Sequence, residues 1–92
     1  MRREIVDARK GERMRFGRMV KTFRRGRGWT YAELARAVRV DSVQSVQQWE
    51  AGKYVANARH LSSLADVMGV PPEELVATIY GARVTNREGG KK

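Results

Sequence analysis

Hydrophobic positions along this chain recur at helical intervals. Phe16, Met19, Val20 and Phe23 stand at i, i+3, i+4 and i+7, which predicts an amphipathic helix from about Met14 to Arg25. Gly26 and Gly28 are expected to end it, because glycine accepts the left-handed conformation that follows a helix. The next start carries several signals at once. Thr30 can cap, Glu33 completes a capping box, and Trp29 with Leu34 makes a hydrophobic staple. A second helix over about Tyr31 to Val38 then turns Leu34, Ala35 and Val38 inward. Arg39-Val40 leaves only a short link before Asp41 or Ser42, either of which can cap a third helix that reaches about Ala51 and stops at Gly52. The stretch K-Y-V-A-N at 53–57 reads as a loop, with Asn57 a cap for a fourth helix that buries Leu61, Leu64, Ala65 and Met68 and ends at Gly69. Pro72 takes the first position of a fifth helix, where its missing N–H costs nothing, and Glu73 and Glu74 suit that helix's positive end. Leu75, Val76 and Ile79 face in, and Gly81 closes the helix. The pattern predicts an all-α chain: a compact five-helix domain over 14–81, a basic N-terminal arm or extra helix turn over 1–13, and a flexible basic tail over 82–92.

The third helix has two unlike faces. In D-S-V-Q-S-V-Q-Q-W-E-A-G, residues 41–52, Val43, Val46 and Trp49 fall three apart, and Gln44, Ser45, Gln47 and Gln48 fill the places between. The second and third helices are short and closely linked, which is helix-turn-helix spacing, and in that motif the second of the pair enters the DNA major groove. A glutamine amide carries both an acceptor and a donor, so it can bond N6 and N7 of adenine together; lysine or glutamate supplies only one kind of group. Ser42 and Ser45 are small enough to let the helix approach, and their hydroxyls can bond phosphate. The bland alternative is a polar solvent face on an ordinary surface helix.

Charge supports the first alternative. The 92-residue chain has a net charge of +9. Residues 1–29 hold eleven Arg/Lys against three acids, residues 30–81 hold four against six, and residues 82–92 hold four against one. The glutamine helix therefore sits in a mildly acidic segment between basic ones, and the field as a whole attracts a polyanion. Arg2, Arg3, Arg9, Lys10, Arg13 and Arg15 can follow a nucleic-acid backbone or enter a minor groove, or simply form a solvated arm. No apolar run approaches the roughly 20 residues that span a bilayer, and the first residues lack the apolar centre of a signal peptide. There is no cysteine and one histidine, His60, so neither a thiolate nor a multi-His metal site is expected, and no cofactor. These features fit a cytoplasmic, nucleoid-associated protein. The methionines read as core filler, Trp29 and Trp49 as core anchors, and His60 as a helix-surface residue.

Five stretches in order carry a family resemblance: F-G-R-M-V-K-T-F-R from Phe16 to Arg24, G-W-T-Y-A-E-L-A from Gly28 to Ala35, W-E-A-G-K from Trp49 to Lys53, L-S-S-L-A-D-V-M-G-V from Leu61 to Val70, and P-P-E-E-L to Leu75. Over about residues 14–80 the chain resembles the Xre/Cro-type phage-repressor helix-turn-helix family. The resemblance implies a lambda repressor-like five-helix DNA-binding domain that acts as a homodimer on a two-fold double-stranded DNA operator. It implies buried motif positions at Leu34, Ala35, Val38, Val40, Val46 and Trp49, and base contacts at Gln44 and Gln48. It also implies phosphate contacts from Thr30, Tyr31, Ser45, Lys53, Asn57 and Arg59, and an ion pair between Arg24 and Glu50. Three departures stand out. The turn residue usually glycine is Arg39, where a positive φ would be strained. From Val40 to Trp49 the chain is one residue longer than the family pattern, so Gln47, with Ser42, joins the candidate base contacts. Thr30-Tyr31 stands where Ser-Gln is common.

The expected function is a sequence-specific transcriptional regulator, repressor-like, reading the major groove with residues 42–51. Alternatives are an antitoxin-type DNA-binding partner of a toxin protein, a helical protein-interaction module, and non-specific nucleic-acid binding through the arginines. An enzyme is the least expected class: there is no phosphate loop, no nucleophile–base pair and no plausible metal set.

Overall fold

A computed structural model describes residues 8–81, and all regular structure among them is helical. The five helices are α1 (Lys10–Arg27), α2 (Tyr31–Val38), α3 (Val43–Glu50), α4 (Ala58–Met68) and α5 (Pro72–Tyr80). Arg2, Arg3, Ile5 and Val6 of the expected arm, and the whole expected tail, lie outside the described residues. α1 packs on α3 and α5, α2 on α3 and α4, and α4 on α5, so α3 is held between α1 and α2.

Local chemistry sets most of the helix ends. At α2, Glu33 N–H donates to Thr30 Oγ1 at 3.1 Å and Thr30 N–H to Glu33 Oε1 at 2.8 Å, the reciprocal pair a capping box requires. Ser42 Oγ accepts from Gln44 N–H at 3.1 Å to start α3, and Asn57 Oδ1 accepts from His60 N–H at 2.9 Å to start α4. Gly28, Arg39 and Gly69 all take left-handed φ values just after a helix. At each of them the next residue's N–H reaches five residues back: Trp29 to Arg24 O, Val40 to Ala35 O, Val70 to Ala65 O. Arg39, with φ 65°, is the only non-glycine residue of positive φ among those described. That conformation costs a side-chain-bearing residue about 1–2 kcal/mol.

α1 is longer than its apolar stripe suggests. It starts at Lys10 because Glu12 Oε1 accepts from Arg9 N–H at 2.8 Å, and Arg13 Nε and Nη1 donate to the carbonyls of Gly52 and Ala8, both at 3.0 Å. At the other end Gly26 stays inside the helix and Gly28 alone makes the turn. Four side chains also depart from expectation. Val43 is 40% exposed and Met14 43%, so neither belongs to the core, whereas Val55 and Ala56 in the supposed loop are buried. The chain after Gly52 thus dips into the core before α4 begins. Met19, Met68 and Val76 are half-buried, packed against the core rather than inside it.

The core runs through Phe16, Val20, Leu34, Val38, Val46, Trp49, Leu64 and Ile79, all essentially inaccessible to water. Each such side chain contributes about 1.5–3 kcal/mol by leaving water. Trp49 meets the edge of Phe16 with ring centroids 5.8 Å apart and stands at the same distance from His60, which is half-buried rather than a free surface residue. Trp29 stands edge-on to Phe23, also at 5.8 Å.

One close approach between helices is made without side chains. A Cβ built on Gly17 would lie 2.5 Å from the carbonyl oxygen of Trp49 and 2.9 Å from that of Glu50. The last turn of α3 therefore rests directly on the backbone of α1. Glycine usually weakens a helix by about 1 kcal/mol relative to alanine, and here that cost buries α3 correctly. Gly26, in the same helix, has nothing within 4 Å of its would-be Cβ. Opposite effects are expected in urea unfolding: Gly17→Ala should lower stability by about 1–3 kcal/mol through the clash, and Gly26→Ala should raise it by roughly 0.5–1 kcal/mol through helix propensity. Thermal melting should also show Arg39→Gly more stable than the parent by about 1 kcal/mol, since glycine relieves the left-handed strain at some entropic cost.

Candidate nucleic-acid interface

α3 buries Val46 and Trp49 and directs Gln44 and Gln47 into solvent, with Ser45 and Gln48 half-buried at its flanks. At 100° per residue Gln44, Gln48 and Ala51 lie opposite the Val46–Trp49 edge, so the amide face points away from the protein. Gln44, Gln47 and Ala51 are exposed there, and Gln48 is half-buried.

Four contacts fix how that face is presented. The Gly17 contact holds the last turn. Phe16 supports Trp49. Arg24 reaches across from α1 to Glu50, its Nε 2.7 Å from Oε2 and its Nη2 3.1 Å from Oε1, a bidentate pair. Arg13 donates to the Gly52 carbonyl just past the helix. All four partners on α1 lie along one stripe, residues 13, 16, 17 and 24.

The ion pair is largely removed from water: the Arg24 side chain is 12% exposed and that of Glu50 3%. Arg24 Nη1 also donates to the Trp29 carbonyl at 2.9 Å, and the guanidinium lies 4.3 Å from the centroid of the Tyr31 ring. One side chain thus joins α1, the α1–α2 turn, the start of α2 and the end of α3. The hydrogen bond to Glu50 raises the Arg24 pKa above its ordinary value; burial opposes this, and the Glu50 charge adds to it. A raised cation pKa means that Arg24 keeps its charge up to and beyond the ordinary arginine range, so the guanidinium does not act as a pH switch at neutral pH. A buried pair with its remaining donor satisfied is costly to break from one side, about 3–5 kcal/mol.

The candidate contact residues fall into distinct groups. Thr30, Ser42 and Asn57 each spend a side-chain oxygen on a helix N-terminus. What remains is a hydroxyl hydrogen on Thr30 and Ser42 and an amide NH₂ on Asn57, so each can still donate to a phosphate or to an acceptor on a base edge. Lys53 and Arg59 are exposed, with no side-chain partner among the described residues. Tyr31 is half-buried beneath the Arg24 guanidinium. Gln48 differs from the other glutamines. Its Oε1 accepts a 2.6 Å hydrogen bond from the hydroxyl of Tyr54, a residue of the following loop that is 38% exposed. Tyr54 carries no sequence signal for this role, because the contact crosses a turn and follows neither helical nor strand spacing.

Several arginines are committed to the fold. Arg13 and Arg15 were candidates for a DNA-following arm, yet Arg13 bonds two carbonyls and Arg15 Nη1 donates to the Ile79 carbonyl. Arg27 lies over the rings of Phe23 and Trp29, 5.2 Å from each centroid. Lys10, Arg18, Lys21 and Arg25 remain exposed on α1, and Arg36 and Arg39 on α2 and its turn. An apolar groove of about 480 Å³ also opens between α1 and the α4 and α5 helices, lined by Met19, Phe23, Met68 and Thr78. It follows the other edge of α1 from the one that carries α3 and does not reach the glutamine face. Among the described residues no helix is long and apolar enough to cross a membrane, and no cluster of His, Cys, Asp or Glu could hold a metal ion.

Comparison with known proteins agrees with this architecture. A family model described as a helix-turn-helix domain matches residues 15–78, from the second turn of α1 into α5. No curated protein and no solved structure is matched. The match takes in α2, the turn at Arg39 and all of α3, and the chain belongs to the helix-turn-helix domain family.

Proposed function

We propose that the chain is a sequence-specific double-stranded DNA-binding transcriptional regulator of the Xre/Cro, repressor-like type, with α3 lying in the major groove. The observation that carries this is the amide face of α3: Gln44 and Gln47 are open to solvent while Val46 and Trp49 lock the helix from beneath. Gln44 is the leading base contact, because its amide has no partner among the described residues. Gln47 and Gln48 flank it, and Ser42 can donate from the start of the helix.

Phosphate contacts come from both sides of that helix. Thr30 and Tyr31 stand at the N-terminus of α2, where unpaired N–H groups and the helix dipole favour an anion. Lys53, Asn57 and Arg59 follow α3, and Ser45 lies at its flank. The exposed Lys and Arg of α1 supply long-range attraction, and the segments 1–7 and 82–92 flank the DNA-binding unit. Regulation then follows from occupancy of the operator, without catalysis, in the nucleoid. One domain of this size covers one half-site, so we further propose that it binds as a homodimer on a two-fold operator.

Two measurements separate base reading from charge attraction. Gln44→Ala should cost about 1–3 kcal/mol on the preferred site and relax specificity at one base pair; an equal loss on random DNA would sink base readout. Neutralising Lys53 or Arg59 to Gln should weaken cognate and random DNA alike and reduce the slope of log affinity against log salt by about one. Titration of a labelled duplex at four or five salt concentrations measures both quantities.

A further inference from the structure

Gln44 and Gln48, one helical turn apart on the amide face, are not chemically equivalent. Gln44 presents a free carboxamide, which can turn either end toward a base. In Gln48 the carbonyl oxygen is already accepting from the Tyr54 hydroxyl at 2.6 Å, the shortest side-chain pairing on this face. A phenol donates more strongly than it accepts, so the amide is held with its oxygen toward Tyr54, not with its nitrogen there. The oxygen is thereby turned toward Tyr54, and the amide nitrogen with its two hydrogens is the end turned toward a ligand.

We propose that Tyr54 is a specificity-determining positioning residue: by holding the Gln48 carbonyl oxygen turned toward itself, it makes Gln48 lead with its N–H groups and select guanine over adenine. This inference rests on the proposed DNA-binding function and refines it. Guanine offers two acceptors side by side in the major groove, O6 and N7. Adenine offers N7 beside the N6 amino group, and that amino group needs an acceptor. With its oxygen turned back to Tyr54, Gln48 meets the adenine amino group with an N–H of its own. Gln44 has no such constraint and keeps the adenine-reading geometry. The two glutamines thereby read different bases from one helix face, and the difference comes from a residue outside the helix. Tyr54 itself need not touch DNA. It stands two residues beyond Gly52, whose φ of 78° closes α3, and next to the buried Val55, so its backbone is anchored while its ring remains at the surface.

The test is selection of bound sites from random double-stranded DNA, run on the full chain and on Gln48→Ala, Tyr54→Phe and the double variant. The base pair read by residue 48 is the one whose preference Gln48→Ala removes. Guanine is expected there for the parent chain. Tyr54→Phe is expected to lower the guanine-to-adenine ratio at that pair about tenfold, within the range one base contact commands, and to leave the other positions unchanged. In the Gln48→Ala background the tyrosine change should have no further effect, and the melting curve of Tyr54→Phe should match the parent's. Adenine at that pair in the parent, an unchanged ratio in Tyr54→Phe, a loss spread over every position, or no lost preference in Gln48→Ala would each overturn the proposal while base reading by α3 stands. If the parent chain enriches no sequence at all, base reading itself fails and this inference falls with it.

Discussion

The presentation of α3 depends on a backbone-to-backbone contact. Gly17 lets the Trp49 and Glu50 carbonyls sit where a Cβ would otherwise stand, at 2.5 and 2.9 Å. Around that point the other restraints have only to fine-tune: the Phe16–Trp49 edge contact sets the roll of the helix, and the Arg24–Glu50 pair sets its end. An eight-residue helix has little stability of its own. Its shape and direction are therefore borrowed from α1, a helix of 18 residues with an independent core stripe. A side chain at residue 17 would have to push the last turn of α3 away from α1, and the amide face would shift with it.

The positive charge of the chain is divided between two tasks. Arg13, Arg15, Arg24 and Arg27 are turned onto carbonyls, a carboxylate or aromatic rings, and act as cross-links between elements. Arginine suits this because its planar fork makes several bonds at once and tolerates partial burial better than an ammonium group. The other cations among the described residues are exposed and have no side-chain partner there, so they keep their full attraction for a polyanion. The bulk charge therefore overstates the number of cationic side chains free to touch phosphates.

Features set by near neighbours were readable directly from the chain. The Thr30–Glu33 box, the Ser42 and Asn57 caps, Pro72 at the start of α5 and the glycine stops at 28 and 69 all involve residues within a turn of each other, so residue type and spacing suffice. Periodicity also located Val46 and Trp49 beneath the glutamines. What escaped depends on contacts between distant residues. Arg13 looked like part of a mobile basic arm because its partner, the Gly52 carbonyl, lies 39 residues away. Val55 and Ala56 are too few to form a pattern, although both are buried. Val43 matched the three-residue spacing of Val46 and Trp49, but each step of three falls about 60° short of a full turn, so Val43 lies about 120° from Trp49 and reaches solvent. Gly17 had no visible role in a helix, and the Tyr54–Gln48 bond crosses a turn.

The turn between α2 and α3 shows fold and surface demands meeting at one residue. The same backbone hydrogen bonds that close α1 at Gly28 and α4 at Gly69 close α2 at Arg39, so the geometry is the one glycine favours. Arg39 cannot relax out of it. Val38 and Val40 on either side are both buried, and Ser42 must reach its capping position three residues on. Strain of this kind persists where the surroundings over-determine a residue. Its side chain is exposed, and residues 30–81 contain only four Lys or Arg in all. Glycine at this position would ease the backbone, yet it would also take a quarter of the positive charge from the segment that carries the amide face. Arginine is thus the poorer choice for the turn and the better one for a surface proposed to approach phosphates.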